Sequence, residues 1–200
     1  MGTLTSQRPE LGLAAELELL EMTHARKFTR EEFYTMVDAG IFDDDYKVEL
    51  IDGRIVTEMA PIGGEHGWSV DNLTRLLVGT LLDTDLIVRV QSGVSFPGDR
   101  ELQPDFAVYR RLPETRSNPG PSQILLVVEV ADSSLRKDLT GKIYLYAEAG
   151  IPTYWVVDVR NRRVAVYTDP VDGVYSHLEH FSGDDMIDVC GKQIPVAKIF

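Results

Sequence analysis

The chain has 200 residues and a mass of 22.4 kDa, with 44% hydrophobic and 26% charged residues and a mean hydropathy of −0.11. This composition is typical of a globular chain and excludes fibrous, collagen-like and intrinsically disordered classes. The single cysteine, Cys190, excludes an internal disulfide and a multi-cysteine zinc site. No apolar run approaches the roughly 20 residues of a membrane-spanning helix, and the first residues lack the pattern of a signal peptide. We therefore expect a cytoplasmic protein without membrane association.

The net charge is strongly negative. Twenty basic against 32 acidic side chains give −12 at pH 7, which argues against broad, non-specific binding to the phosphates of a nucleic acid. The charge is uneven, however, because residues 104–163 carry nine basic and seven acidic side chains. A local nucleic-acid site is therefore compatible with the composition.

The first part of the chain predicts a lead-in and a short helix. Residues 1–27 include LAAELELLEM, whose composition favours a helix. We expect the domain itself to span residues 28–200. In KFTREEFYTMVDAG, Thr29 can cap a helix, Glu32 completes a capping box, and Gly40 marks the end.

A hairpin and a longer helix follow. KVELIDGRIVTEM contains two β-rich runs joined by Asp52-Gly53, a strong hairpin signal. EHGWSVDNLTRLLVGTLLD predicts an amphipathic helix, because six residues fall on one side at spacings of three and four. That side carries Val70, Leu73, Leu76, Leu77, Thr80 and Leu81.

The second half predicts a sheet with a crossover. Strands are expected at LIVRVQSGVSF and PDFAVYR, separated by a turn at PGDRE, and ILLVVEV reads as a strand buried on both faces. A helix from about Leu135 to Ala149 leads to PTYWVVDV, which can lie parallel to ILLVVEV through a right-handed crossover. The C-terminal third is hairpin-like, with Asp172-Gly173 at a turn. The fold class is mixed α and β.

Common catalytic motifs are missing from the sequence. It contains no Gly-rich phosphate loop, no GxGxxG, no GxSxG and no HExxH. In HLEH, the three-residue spacing of His177 and His180 on a strand sends the two side chains to opposite faces. We therefore do not expect that pair to bind a metal.

Two acidic residues stand where acids are unfavourable. Glu129 interrupts an apolar strand, so its carboxylate must be ion-paired, protonated or bound to a metal. Asp105 opens a neighbouring strand directly after a proline. Together these carboxylates could hold Mg²⁺ or Mn²⁺, with waters completing the octahedron. The alternatives are a strand-start acceptor of backbone hydrogen bonds for Asp105 and a buried ion pair for Glu129.

A lysine on the crossover helix completes the candidate set. Lys142 stands one turn after Asp138 and beside Leu139, Ile143 and Tyr146, the expected sheet-facing stripe. Its ammonium group could act on an attacking water or stabilise charge on a phosphoryl transition state. The alternative is a surface ion pair with Asp138.

These residues resemble a nuclease superfamily. Pro104-Asp105 followed by Glu129-Val130 at the end of a buried strand resembles the PD-(D/E)XK pattern, in which the carboxylates bind Mg²⁺ for phosphodiester hydrolysis. The ordered series VELIDGRIV, His66, PDFAVY, VVEVADSS, Lys142 and YAEAGIPTYWVVD is similar to the Uma-two family of endonucleases, also called domain of unknown function 820. The similarity runs from about residue 27 to 175.

The resemblance implies a fold and a site. The fold would be restriction-endonuclease-like, a central mixed sheet flanked by helices with additional N-terminal and C-terminal hairpins, and the protein a homodimer. Asp105, Glu129 and the carbonyl of Val130 would bind the metal. The superfamily's lysine position is occupied by Ala131, so Lys142 would take its place.

Two further positions match the family pattern, and both receive supporting roles. Glu49 would be a further metal or water ligand or else part of a hairpin salt bridge. His66 would contact phosphate or shuttle a proton, or else simply begin a helix.

The expected function is metal-dependent endonuclease activity on DNA. The rival hypothesis is a non-catalytic nuclease-fold module that binds DNA or a protein partner, favoured by the acidic charge and by Ala131. Four aromatic side chains are expected in the core rather than on a base-stacking surface: Trp68, Tyr144, Tyr146 and Trp155.

Overall fold

The computed structural model describes residues 26–43, 46–59, 64–111, 117–131 and 136–200. Most of the lead-in, including LAAELELLEM, lies outside these residues. The helices are α1 (Arg30–Asp38), α2 (Gly64–Leu81) and α3 (Arg136–Glu148). The strands are β1 (Tyr46–Ile51), β2 (Arg54–Met59), β3 (Leu86–Val90), β4 (Val94–Phe96), β5 (Arg100–Leu102), β6 (Phe106–Arg110), β7 (Ile124–Ala131), β8 (Thr153–Asp158), β9 (Arg163–Val171), β10 (Val174–Ser182), β11 (Met186–Val189) and β12 (Lys192–Pro195). Short 3₁₀ turns occupy Pro121–Gln123 and Val196–Lys198.

A six-stranded mixed sheet forms the centre of the molecule, in the order β10-β9-β8-β7-β6-β3. The strands β7 and β8 pair in parallel, with Val128 opposite Trp155, and α3 connects them. This confirms the predicted parallel pairing of ILLVVEV with PTYWVVDV. The other neighbours in this sheet pair antiparallel.

The alternation of β7 directs its side chains into two separate cores. Val128 and Val130 pack in one core with the buried side of α2, which includes Leu73 and Leu77, and with the C-terminal elements. Val127 faces the other way, toward α3 and the edge of the second sheet. Because successive strand residues point to opposite faces, Glu129 shares the face of Val127 and lies toward α3. β7 is thus covered on both sides, as its apolar sequence predicts.

The second sheet is a four-stranded antiparallel one, in the order β2-β1-β5-β4. Its hairpin turns at Asp52 and Gly53, whose φ angles of 51° and 78° lie in the left-handed region, as expected for this dipeptide. The third sheet has two strands, β11 and β12, which pair antiparallel.

The expectation of one strand across LIVRVQSGVSF is wrong. The segment divides at Gln91, which has a φ of 42°, into β3 of the central sheet and β4 of the second sheet. The following PGDRE segment is also more than a turn, because Arg100 begins β5. The break lets the chain leave the central sheet for β4 and β5, and the chain returns to the central sheet at β6, directly after Asp105.

Helix α1 begins with the predicted capping box. Glu32 N–H donates to Thr29 Oγ1, and Thr29 N–H donates to a Glu32 carboxylate oxygen. Tyr34 on this helix donates a 2.7 Å hydrogen bond to the buried Glu101 of β5, and the Asn118 amide donates to the Tyr34 hydroxyl at 2.8 Å. The helix is therefore attached to the second sheet by a polar cluster.

The prediction that four aromatic residues lie in the core is wrong for two of them. Tyr146 and Trp155 are fully buried, but Trp68 is 62% exposed and Tyr144 is 58% exposed. Each exposed residue lies on the side of its helix opposite the buried stripe, so helical periodicity places its ring toward solvent. Within the described residues, no helix is both long and apolar enough to cross a membrane.

Candidate active site

The two predicted acids lie at one end of the central sheet. Asp105 immediately precedes β6, and Glu129 is the third-last residue of β7. The antiparallel register pairs Phe106 with Val128, which brings the start of one strand beside the end of the other. Both carboxylates are buried.

Asp105 is fixed by the backbone of the neighbouring strand. Its Oδ2 accepts a 2.7 Å hydrogen bond from the N–H of Val130, while its Oδ1 lies 3.4 Å from the Gln91 amide nitrogen. Burial and the negative charge of Glu129 raise the pKa of Asp105 above its usual range, although Lys47 opposes the shift. Asp105 therefore accepts a backbone hydrogen bond at the start of its strand, which was one of the two alternatives expected for it. Its other oxygen, Oδ1, does not take part in that bond.

Glu129 is held by the helix that packs over its face of the sheet. Its Oε1 accepts a 2.9 Å hydrogen bond from the Tyr146 hydroxyl and lies 3.4 Å from Lys142 Nζ. Its Oε2 lies 3.7 Å from Lys47 Nζ. Burial alone would raise the pKa of Glu129. The ammonium groups of Lys142 and Lys47 outweigh burial and lower that pKa below its usual range.

Lys142 is buried and paired with two carboxylates. Its Nζ lies 2.9 Å from Glu49 Oε2 and 3.1 Å from Glu49 Oε1, in addition to its contact with Glu129. Glu49 Oε1 also accepts a 2.8 Å hydrogen bond from the N–H of Gln103. Glu49 thus forms an ion pair with Lys142. This contact links β1 of the second sheet to the site. Asp138, the alternative partner expected for Lys142, has a side chain outside the described set.

His66 reaches the same end of the sheet from α2. It is buried, and its Nε2 lies 3.8 Å from Asp105 Oδ1, which is too long for a hydrogen bond. Neither ring nitrogen has a hydrogen-bond partner among the described residues. Buried polar groups normally form hydrogen bonds. The imidazole of His66 can therefore still form hydrogen bonds to a group that binds beside Asp105.

The family of the chain follows from a direct comparison. The family model Uma2, described as "Putative restriction endonuclease", matches residues 30–191. The chain belongs to the Uma2 family. The expected resemblance is therefore confirmed.

The Uma2 fold is also found in solved structures. A crystal structure described as "a putative nuclease belonging to DUF820", from Anabaena variabilis ATCC 29413, superposes with a TM-score of 0.68 and 18% identity. The match covers 86% of this chain and 97% of that chain. This likeness confirms the restriction-endonuclease-like fold. A search of curated proteins found no match.

The donor atoms of this Uma2 chain fit a hard divalent cation with few protein ligands. In the described part of the chain, no three His, Cys, Asp or Glu side chains are grouped as a metal site. The available ligands are the carboxylates of Asp105 and Glu129 and the backbone carbonyl of Val130. This set suits Mg²⁺ or Mn²⁺, because these ions keep several waters as ligands. Among the described side chains here, three buried carboxylates face the buried ammonium group of Lys142 and the partly exposed one of Lys47, an imbalance that a dication would offset.

Two residues of the site were not predicted to take part. Lys47 contacts both Glu49 and Glu129 at 3.7 Å. Strand alternation from Glu49 puts Lys47 on the same face of β1, which was the available signal. Tyr146, expected only as a core residue, donates to Glu129; it lies one turn after Lys142, the spacing at which helix residues share a face.

Proposed function

We propose that this chain is a metal-dependent endonuclease that hydrolyses phosphodiester bonds in DNA. Membership of the Uma2 family supports nuclease chemistry. The observation that carries the proposal is the meeting of Asp105, Glu129 and Lys142 at one end of the central sheet. Buried acids beside a buried lysine are the groups that such a hydrolysis needs.

The metal site in this proposal uses Asp105, Glu129 and the carbonyl of Val130. When bound there, Mg²⁺ or Mn²⁺ would supply a Lewis acid and a fixed positive charge beside the phosphate. The N–H and C=O of one strand residue point to the same side, so the Val130 carbonyl faces the Asp105 side of β7, as its N–H does. Asp105 Oδ1 and Glu129 Oε2 would complete the set of ligands.

The charged side chains would act on the phosphate through their positions. Lys142 keeps Glu129 ionised and presents a buried positive charge where a phosphoryl transition state gains negative charge. Glu49 keeps Lys142 in place through both carboxylate oxygens. His66, with two unpartnered ring nitrogens, would contact the phosphate or carry a proton to the leaving oxygen as the P–O bond breaks.

A non-catalytic nuclease-fold module is the second candidate. The observation that favours it is the ion pairing of Lys142 with both Glu49 and Glu129, since a structural network needs no substrate to be complete. Calorimetric titration with Mn²⁺ separates the two. A catalytic site binds Mn²⁺ and loses that binding in Glu129→Gln, whereas a pure interaction module does not bind it.

Plasmid cleavage tests the main proposal. Purified protein is incubated with supercoiled, linear and single-stranded DNA, with Mg²⁺, with Mn²⁺ or with a chelator. We expect cleavage only with the metals, and loss of cleavage in Asp105→Asn and Glu129→Gln. The matched control is Asp188→Asn, which removes the same charge from an exposed position on β11 and should cleave normally. Cleavage that persists in both site variants would refute the proposal.

The proposal includes a homodimer in the cytoplasm. The homodimer comes from the family resemblance, and the location is supported by Cys190, which is free and exposed. Light scattering after size-exclusion chromatography measures the mass. A mass near twice 22.4 kDa is expected, and the mass of a monomer would refute the dimer.

A further inference from the structure

A cavity of about 650 Å³ opens beside the first turns of α2 and the end of β8. Its size lies within the range of sites that bind small molecules. Aromatic, hydroxyl and guanidinium groups meet in it, and its lining includes Trp68, Ser69, Val159, Arg160, Arg162 and Phe200. None of these residues has a role in the proposed hydrolysis.

Trp68 gives this cavity an accessible aromatic face. The indole is 62% exposed although it lies on the helix that covers the central sheet. An exposed tryptophan is unusual in a core-covering helix, and its large π face is suited to stacking. Phe200 adds a second ring to the lining.

Two arginines give the cavity a positive rim. Arg160 and Arg162 are both exposed, and Glu65 is the acidic residue of the described lining. The Arg162 guanidinium lies 5.7 Å from the Phe200 ring centroid and donates a 2.9 Å hydrogen bond to the Phe200 carbonyl oxygen. The rim is notable in a chain with a net charge of −12.

Ser69 adds a hydroxyl group, unpartnered in the described part of the chain, to the lining of the cavity. Its side chain is 1% exposed, and its hydroxyl has no hydrogen-bond partner among the described residues. Buried hydroxyl groups are normally satisfied, because an unmade hydrogen bond leaves the cost of desolvation uncompensated. A ligand that fills the cavity can supply the missing partner.

The cavity borders the candidate active site. Ser69 follows His66 by three residues on α2, which is less than one helical turn. On the other side, the N–H of Val159 donates to the carbonyl of Ala131, the residue after Val130. A ligand in the cavity therefore lies next to the end of the sheet that carries Asp105 and Glu129.

We propose that this cavity binds one unstacked base of a single-stranded DNA segment, with the base on Trp68 and its phosphate at Arg160 and Arg162. Stacking on an aromatic ring beside cationic groups is how proteins hold single strands, and duplex bases are not available for it. The inference deepens the proposed nuclease function and rests on it. It assigns the preferred substrate as single-stranded or locally opened DNA.

Tryptophan fluorescence tests this binding without cleavage. The chain contains two tryptophans, and Trp155 is fully buried, so an added oligonucleotide can reach only Trp68. A short single-stranded thymidine oligonucleotide, added with a chelator present, should quench the emission. Trp68→Phe should lose the quenching, and Trp68→Ala should weaken binding by roughly 5- to 150-fold, the contribution of one base stack.

Matched variants separate the cavity from general charge effects. Arg160→Ala and Arg162→Ala should each weaken binding and reduce the slope of log K against log salt by about 0.7. Arg110→Ala is the control, because Arg110 is exposed at the far end of β6 from Asp105. Quenching by duplex as strong as by single strand, or affinity in Trp68→Ala within twofold of wild type, would overturn the inference.

The experiments distinguish an error in the proposed base binding from an error in the proposed nuclease activity. Metal-dependent cleavage without quenching refutes the cavity alone. Quenching without cleavage refutes the proposed hydrolysis and leaves the cavity as a single-strand binding site. Anisotropy of a labelled oligonucleotide measures binding independently of Trp68. If binding is saturated and no quenching is seen, the base does not stack on Trp68.

Discussion

The backbone N–H of Val130 donates a 2.7 Å hydrogen bond to Asp105 Oδ2 across the junction of β7 and β6. Asp105 directly precedes β6, so its side chain continues the hydrogen bonding between β6 and β7 beyond the last backbone pair. It fixes one carboxylate oxygen and leaves Oδ1 toward Gln91 and His66. One contact thus orients both the side chain of Asp105 and the backbone of Val130.

Asp105→Asn should separate stability from function. The amide oxygen can still accept from Val130, while the buried charge, whose pKa is raised by burial and by Glu129, is gone. We expect an unchanged or higher free energy of unfolding in urea. Cleavage should fall by about three orders of magnitude, because Lewis-acid stabilisation is worth several kcal/mol. A large loss of stability would instead show that the carboxylate charge of Asp105 stabilises the fold.

Removing Lys142 should destabilise the fold through its partners. Lys142→Met leaves the buried carboxylates of Glu49 and Glu129 without this ammonium group, and breaking such a pair costs about 3–5 kcal/mol. The double variant with Glu129→Gln should lose less than the sum of the two single changes. Urea denaturation measures all three. Strict additivity would show that the two residues are not coupled.

Two neighbouring tyrosines provide a matched pair. The ring centroids of Tyr146 and Tyr154 lie 4.9 Å apart and both rings are buried. Tyr146 donates to Glu129, whereas the Tyr154 hydroxyl has no hydrogen-bond partner among the described residues. Tyr146→Phe should therefore cost about 1.5–3 kcal/mol, and Tyr154→Phe should be neutral or stabilising.

The same pair tests the orientation of Glu129. Since Tyr146 positions a proposed metal ligand, Tyr146→Phe should lower Mn²⁺ affinity by about 10- to 100-fold in calorimetry. Tyr154→Phe should leave it unchanged. Equal affinities in the two variants would contradict a positioning role for Tyr146.

Tyr34 predicts a loss of stability at alkaline pH. Burial and its hydrogen bond to Glu101 raise the pKa of Tyr34 to about 12, above the value near 10 of an unfolded chain. Its neutral form is favoured in the folded state, so this contribution is complete below pH 10 and is lost as pH rises toward 12. In Tyr34→Phe the fall in unfolding free energy between pH 10 and 12 should be shallower. An identical fall would contradict the raised pKa.

Local chemistry explains which parts of the fold can be read from the sequence. The Thr29 and Glu32 capping box and the Asp52-Gly53 turn depend on neighbours within a few residues, and both form as expected. The meeting of Asp105 with Glu129 follows from strand alternation and pairing of adjacent apolar runs. Each of these depends on periodicity or on short-range hydrogen bonds.

Contacts between elements distant in the chain were harder to foresee. Alternation along β1 puts Lys47 on the face of Glu49, but its approach to Glu129 needs the second sheet to pack against α3 and the end of β7, which no local pattern encodes. The cavity beside Trp68 is formed with residues far from α2 in the chain, those that follow β8 and Phe200, whereas the exposure of Trp68 itself follows from its place opposite the apolar stripe. The division at Gln91 likewise reflects which sheet each half joins.

Anomalous diffraction from crystals grown with Mn²⁺ tests the metal site most directly. We expect one anomalous peak within coordination distance of Asp105, Glu129 and the Val130 carbonyl oxygen, and its absence in crystals of Glu129→Gln. A structure without a peak at this site, or with Mn²⁺ only on acidic surface residues, would contradict the proposed metal site.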